Sequence, residues 1–245
     1  MTSLEIFSRH ALAAGAGLRL VSVTRPGFAG SPRRLGRTVS DTAADVIEVL
    51  ERLGIDRVVT AGYSGGGPHA LGLAALVPDR VSHVATFACP APYDRTPDWF
   101  TGMANNGGGL RSAAEGRSAR ERYQRTAEFD PGSFTEADWE ALSGSWAGIG
   151  EDAQAATAAG SASGEIDDDL AFVVPWGVDL DQITSRVSVF HAASDCLIPA
   201  HHAERLAALL PAADVRKLEA SGHVAVLQQL PHWIHAVARW MPTVT

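Results

Sequence analysis

Residues 58–69 read VVTAGYSGGGPH, and this stretch joins a strand to a helix through one serine. Its first residues are apolar or β-branched, which is typical of a buried strand, and Pro68 suits the first turn of a helix. Between them, Gly62 and Gly66 lie two residues to either side of Ser64, the pattern of a nucleophile elbow. We expect side chains at both glycines to clash with neighbouring backbone in so sharp a turn, and the Ser64 hydroxyl to be exposed.

The pentapeptide Gly62-Tyr63-Ser64-Gly65-Gly66 also predicts where negative charge can be stabilised. The amide of Gly65 follows the serine at the start of the predicted helix. Helix amino termini have free N–H groups and a dipole that favours negative charge. The N–H of Gly65 is therefore a candidate oxyanion-hole donor.

Outward from this stretch, strands alternate with helices, which predicts an α/β fold with a mostly parallel sheet and helices on both faces. The patterns predict strands at Leu18–Thr24, Arg57–Ala61, Val81–Ala88, Val187–Ala192 and Val215–Leu218. They predict helices at Leu4–Ala14, from Ser40 or Asp41 to Leu53, from Pro68, at Pro199–Leu210, and from His223 to near Met241.

The alternation stops between about Pro97 and Trp176, where the chain is rich in Gly, Ala, Ser and Trp and has no convincing strand. An insertion between two parts of an α/β sheet is typical of a mobile lid or helical cap over a pocket, and its tryptophans are costly to leave in water, which argues against a poorly ordered segment. The expected organisation is a core in two parts, 1–96 and 179–245, with a cap at 97–178. A poorly ordered surface excursion is the alternative.

A serine needs a base and an orienting carboxylate to act as a nucleophile at neutral pH. Asp195 follows the predicted strand VSVFHAA, and His223 follows the strand VRKL. In a parallel sheet both loops emerge at the same edge as Ser64. The spacing of 28 residues between the acid and the histidine fits one helix and one strand, which favours Asp195 over Asp94, Asp98 and Asp179.

The motifs RPGFAGS, GYSGGGPH, SDCLIP and SGHV together resemble the serine-nucleophile branch of the α/β-hydrolase superfamily. The resemblance covers nearly the whole chain and implies Ser64 as nucleophile, His223 as general base and acid, and Asp195 as the carboxylate that orients the imidazole. It implies an esterase, lactonase, iminopeptidase or similar hydrolase that needs no cofactor.

Two departures from this family matter. Thr24 stands where the family usually has Asp, a change that we expect to be tolerated. The family's first strands and its His-Gly oxyanion loop have no match, because Met1 falls just beyond them. We expect the working protein to start further upstream; the alternative is a genuine short variant with impaired activity, because one oxyanion donor would be absent. A serine hydrolase, a non-catalytic binding protein on the same fold and an acyl transferase remain open.

Composition excludes other classes of function. The net charge of −8 and the lack of a basic block argue against nucleic-acid binding, and no window has eighteen consecutive apolar residues. We expect a cytoplasmic protein that acts on a small molecule, with no metal and no membrane partner; the sequence does not predict its oligomeric state.

Several polar residues are expected to have no special role. Cys89 and Cys196 are expected to be buried thiols, and the loop Ser31–Arg37 and the run Asp167–Asp169 are expected to be solvated. The histidines at 201, 202, 232 and 235 are expected to be exposed on helices rather than to ligate a metal.

Overall fold

The computed structural model describes residues 18–158 and 162–240. The expected helix at Leu4–Ala14 and the glycines that follow it lie outside these residues. The described elements run in this order: α1 (Val39–Arg52), β1 (Val58–Tyr63), α2 (Gly67–Leu76), β2 (Val81–Phe87), α3 (Gly108–Ala114), α4 (Arg117–Thr126), α5 (Glu136–Ser143), α6 (Ala147–Ala158), α7 (Ser163–Phe172), β3 (Arg186–Ala192), α8 (His201–Leu209), β4 (Ala213–Leu218) and α9 (Leu230–Ala238).

The four strands form one parallel sheet in the order β1-β2-β3-β4. Gly62 pairs with Thr86, and Phe87 pairs with Phe190, so the carboxyl ends of the first three strands lie together. Ala192 at the end of β3 pairs with Leu218 at the end of β4. The loops that leave these four ends therefore share one edge of the sheet, which confirms the predicted α/β architecture.

The predicted strand Leu18–Thr24 is wrong. These residues have no regular secondary structure and are half-buried or exposed. A strand needs a neighbour for its backbone N–H and C=O groups. In the described part of the chain the sheet ends at β1, which pairs only with β2, and residues 18–24 pair with no strand.

Apolar residues are buried on both faces of the sheet. One core cluster joins α1 and α2 to β2 and β3, and includes Val39, Leu71 and Val189. The other lies under α9 and includes Phe190 and Trp233. Burying each such side chain stabilises the fold by about 1.5–3 kcal/mol, so the helices on both faces contribute to the stability of the sheet.

Helix α1 begins earlier than the sequence predicted. Thr38, rather than Ser40 or Asp41, is its N-cap, and its hydroxyl accepts a hydrogen bond from the amide of Asp41. The Asp41 carboxylate in turn accepts a hydrogen bond from the Thr38 amide, which completes a capping box. Gly54 follows the helix with φ of +63°, the left-handed conformation that glycine adopts without steric cost.

The segment between β2 and β3 contains five α-helices, α3 to α7, and no strand among its described residues. Trp99, Trp146 and Trp176 are buried, whereas Trp139 is 40% exposed. Trp146 belongs to the cluster under α9, and Trp176 belongs to the cluster beneath α1 and α2. The segment therefore packs on the sheet domain through its tryptophans and is called the cap below.

Candidate active site

Ser64 sits at a strained turn. Strand β1 ends at Tyr63, a single 3₁₀ turn covers Ser64–Gly66, and α2 begins at Gly67. The φ angle of Ser64 is +49°, a left-handed conformation that non-glycine residues rarely adopt and that persists only where the surrounding fold enforces it. This geometry turns the serine side chain out of the strand at the carboxyl edge of the sheet.

The glycines around Ser64 have different roles. A Cβ on Gly62 would overlap the backbone of Gly66 and Gly67, so this glycine is a steric requirement of the turn. The same expectation for Gly66 is wrong, because a Cβ there would have no atom within 4 Å. Gly67, which the motif did not single out, would overlap the side chain of Cys89. The tight contacts around the turn thus involve Gly67, the first residue of α2, and Cys89, which lies two residues after β2.

Ser64, His223 and Asp195 form a hydrogen-bonded chain. His223 Nε2 is 3.0 Å from Ser64 Oγ, and His223 Nδ1 is 2.8 Å from Asp195 Oδ2. Asp195 follows β3 and His223 follows β4, so the shared sheet edge brings the three loops together. We call these residues the triad. Both Asp195 and His223 are about 95% buried, which shields their hydrogen bond from water.

The environment of Asp195 fixes the proton on the imidazole. Its Oδ1 accepts hydrogen bonds from the amides of Leu197 and Ile198, at 2.8 and 2.9 Å. Burial alone would raise the pKa of this carboxyl, but its electrostatic interaction and hydrogen bond with His223, together with the hydrogen bond from the Ile198 amide, lower it. Because the ionised carboxylate can only accept, Nδ1 of His223 carries the proton and Nε2 is free to accept from Ser64.

Tyr63 packs against the imidazole from the strand side. The centroids of the Tyr63 and His223 rings are 5.2 Å apart. Burial, followed by the charges of Asp195 and Asp138, raises the pKa of the Tyr63 phenol well above its ordinary value. The phenol therefore stays neutral beside the triad and adds no competing charge.

Helix α7 of the cap covers the residue after Ser64. The ring of Phe172 would lie 3.2 Å from a Cβ on Gly65, and Asp168 Oδ2 would lie 3.9 Å from the same atom. Gly65 therefore lies in the helical turn that follows β1, as expected, and helix α7 packs against it. No side chain larger than hydrogen fits there unless Phe172 moves.

Asp168 is the centre of a buried ion-pair network, contrary to the expectation that Asp167–Asp169 is solvated. Its carboxylate accepts from Arg25 at 2.7 Å, from Arg37 at 2.5 Å, and is 3.1 Å from His69 Nε2. Burial opposes ionisation, but the charges of Arg25 and Arg37 and the bond to His69 lower the pKa of Asp168 strongly. The network joins the cap to the loop after Thr24 and to helix α2.

The neighbouring Asp167 extends this connection. Its carboxylate accepts from Arg33 and Arg117, at 2.6 and 2.7 Å, and its side chain is 1% exposed. Residues 32–36 are exposed, as expected of this loop, but Arg37 is buried. The sequence reasoning missed these pairs because arginines near residue 30 and aspartates near residue 168 meet only in the folded chain.

Helix α5 of the cap reaches the loop of His223 from the opposite side. Asp138 is fully buried and accepts hydrogen bonds from the backbone amides of Val224 and Ala225. A Cβ on Gly222 would overlap the side chains of Asp138 and Thr135. The Thr-x-x-Asp pattern at 135–138 is a readable capping-box signal, but its second contact with the histidine loop has no sequence signature.

The other acids that were considered for the triad lie elsewhere. Asp94 and Asp98 form ion pairs with Arg205 at the surface, and Asp179 is exposed. The three residues that the chain order favoured are the ones that the structure brings together.

Two further expectations need correction. His202 is fully buried rather than exposed, and its Nδ1 accepts from the Ala91 amide. Burial and the nearby His201 and His191 lower its pKa to about 3. Cys89 is buried but Cys196 is exposed. Within residues 18–158 and 162–240, no group of three His, Cys, Asp or Glu side chains could hold a metal ion.

A surface groove of about 570 Å³ lies toward the amino ends of β3 and β4, where Arg186, Trp233 and Trp240 line it. It includes none of the triad residues.

None of the described helices is long and apolar enough to cross a membrane.

A family model described as alpha/beta hydrolase fold matches residues 4–230. A pimeloyl-[acyl-carrier protein] methyl ester esterase from Aromatoleum aromaticum is 26% identical over 86% of this chain and 83% of its own length. A putative carbamate hydrolase from Caulobacter segnis is 28% identical over 76% of this chain and 66% of its own length.

Solved structures show the same fold at lower identity. A hydrolase from Pseudomonas aeruginosa has a TM-score of 0.70 at 19% identity and covers 98% of this chain and 85% of its own. An enol-lactonase from Burkholderia xenovorans has a TM-score of 0.67 at 19% identity, with 98% and 86% covered.

Proposed function

Because the chain belongs to the alpha/beta hydrolase fold family, we propose that it is a cofactor-independent serine hydrolase that works through an acyl-enzyme. The substrate class is a small carbonyl compound: a carboxylic ester, an amide or a lactone. The observation that carries this proposal is the hydrogen-bonded chain from Ser64 through His223 to Asp195. Ser64 is half-buried, and the His223 and Asp195 behind it are buried, so the serine hydroxyl lies at the outer end of this chain.

In the proposed first step, Ser64 Oγ attacks the carbonyl carbon while its proton moves to His223 Nε2. The imidazolium that forms is stabilised by the adjacent Asp195 carboxylate, which the amides of Leu197 and Ile198 hold in place. The left-handed turn at Ser64 presents the hydroxyl to the substrate without a rotation of the backbone. Preorganisation of this kind lowers the entropic part of the barrier.

The tetrahedral intermediate carries negative charge on the former carbonyl oxygen. In the proposed mechanism the Gly65 N–H donates to this oxygen, and the start of α2 adds the field of a helix amino terminus. His223 then protonates the leaving group, and the acyl group stays on Ser64. Water, deprotonated by the same histidine, attacks the ester and releases the acid.

The named relatives support hydrolysis in general. They are named as a methyl ester esterase and a putative carbamate hydrolase. These reactions share a tetrahedral intermediate and differ in the leaving group. The proposal for this chain therefore stays at the level of a small carbonyl substrate.

The test is covalent labelling by a fluorophosphonate probe, read by intact mass, with hydrolysis of short-chain p-nitrophenyl esters in parallel. We expect one adduct on the wild-type protein and none on Ser64→Ala. The labelling rate of His223→Ala should fall by a factor of about 10³ or more. His232→Ala is the matched control, because this histidine is exposed on α9. A folded wild-type protein that forms no adduct would overturn the proposal and favour a non-catalytic binding protein.

A further inference from the structure

We propose that Asp138 is a positioning residue for His223, so that the cap helix α5 holds the proposed general base in register with Ser64. This inference rests on the proposed function. It assigns to the cap a part in the geometry of the triad.

The first observation is the contact between Asp138 and the backbone after the histidine. Asp138 Oδ1 accepts from the amide of Val224 at 2.7 Å and from the amide of Ala225 at 2.8 Å. These are the two residues that directly follow His223, at the start of the 3₁₀ turn Ala225–Gln229. Hydrogen bonds to a buried carboxylate are short and strong, and Asp138 is fully buried.

The second oxygen of the same carboxylate is used within the cap. Asp138 Oδ2 accepts from the amide of Thr135 at 2.9 Å and from its hydroxyl at 3.0 Å. The Thr135 hydroxyl in turn accepts from the Asp138 amide, which completes the capping box of α5. One carboxylate therefore joins the first turn of a cap helix to the first turn after the histidine.

The backbone packs closely around this carboxylate. A Cβ on Gly222 would overlap the Asp138 carboxylate and the Thr135 hydroxyl, so the loop SGHV approaches the cap as closely as a backbone can. Ala141 and Trp146 of the cap share one buried apolar cluster with residues 224–227. The position of this loop is consequently set by α5 as well as by β4.

The consequence for the proposed chemistry is geometric. The bond between His223 Nε2 and Ser64 Oγ is 3.0 Å long, and misplacement of a catalytic group by about 1 Å reduces rates by about 10²-fold. Without Asp138, the amides of Val224 and Ala225 lose their acceptor in a buried place, so the turn must shift to satisfy them.

The chain supplies its own control. Thr38 and Asp41 form the same capping box at the start of α1, with matching bonds from the Thr38 amide and hydroxyl to the carboxylate. The remaining oxygen of Asp41 binds Arg34 at the surface and not the histidine loop. Asp41→Ala therefore removes a helix cap of equal design without touching the triad.

The experiment compares Asp138→Ala, Asp138→Asn and Asp41→Ala by the rate constant of fluorophosphonate labelling and by the low-field proton resonance of His223 Nδ1. We expect about a 100-fold slower labelling in Asp138→Ala. A smaller loss is expected in Asp138→Asn, because its amide oxygen can still accept from Val224 and Ala225. The resonance should broaden or shift in Asp138→Ala. Asp41→Ala should label within about twofold of wild type with an unchanged resonance.

Labelling of folded Asp138→Ala within about twofold of Asp41→Ala, with an unchanged resonance, would overturn the inference. If the Asp138 variants do not fold, hydrogen exchange on the wild-type protein decides: strong protection of the Val224 and Ala225 amides supports the inference, and exchange at peptide rates overturns it. A third outcome separates the two proposals. If the wild-type protein does not label, but the His223 resonance changes in Asp138→Ala and not in Asp41→Ala, the proposed function fails and the positioning role stands.

Discussion

Replacement of Asp195 by Asn is the substitution for which the structure gives the sharpest expectation. The amides of Leu197 and Ile198 both donate to Oδ1, so the oxygen of an asparagine must occupy that position. Its NH₂ group must then face His223 Nδ1. Because an amide NH₂ only donates, Nδ1 has to accept, and the proton of the neutral imidazole moves to Nε2.

In that tautomer Nε2 no longer accepts the proton of Ser64, although the distances in the triad hardly change. The expected loss in labelling and ester hydrolysis is about 10⁴-fold, or about 5.4 kcal/mol of transition-state stabilisation. The loss in stability should be much smaller, since the two backbone bonds to Oδ1 persist and a neutral hydrogen bond is worth about 1 kcal/mol.

The assay is the second-order rate constant of fluorophosphonate labelling, measured with urea unfolding of the same preparations. Asp94→Asn serves as the control, because Asp94 is paired with Arg205 at the surface. If Asp195→Asn labels within tenfold of wild type while Ser64→Ala does not label, the tautomer argument is refuted.

Three more outcomes follow from the geometry. Gly62→Ala should lower both stability and labelling, because its Cβ overlaps the backbone of the elbow; an unchanged urea midpoint would contradict this. Asp168→Asn should cost about 3–5 kcal/mol in urea unfolding, since it leaves buried arginine charge unpaired. Because the folded pKa of Asp168 is depressed, its contribution is present above about pH 4 and is lost as the pH falls, so the variant should show a shallower acid slope. Native protein should add one thiol reagent, at exposed Cys196, and a second at Cys89 only in denaturant; two fast additions to native protein would refute the burial of Cys89.

The local patterns of the sequence carried most of the fold. The strand and helix around Ser64 were predictable because a β-branched run, a glycine turn and Pro68 each constrain the backbone over a few residues. The meeting of Ser64, Asp195 and His223 was predictable because the loops that follow parallel strands lie at the same edge of the sheet. The predicted strand at Leu18–Thr24 was wrong because a residue pattern with high strand propensity forms a strand only where a neighbouring strand pairs with it.

The contacts of the cap were not predictable in this way. Asp168 meets Arg25, which lies 143 residues away along the chain, and Asp138 meets Val224 across 86 residues. Hydrophobic periodicity in a sequence reports only on local structure, so it does not predict contacts between such distant residues. Charged residues in a polar segment also usually face water. Gly66 shows the same point in reverse, because a motif glycine has free space while Gly67 beside it has none.

The two charged links between cap and core bear on how this protein can be re-engineered. Replacement of the cap as a block removes Asp168 and Asp138, and the host keeps Arg25, Arg37 and the two amides after His223 without acceptors unless the new cap has carboxylates at the same places. A workable chimera must therefore exchange each aspartate together with its partners, so the unit of exchange is larger than residues 97–178.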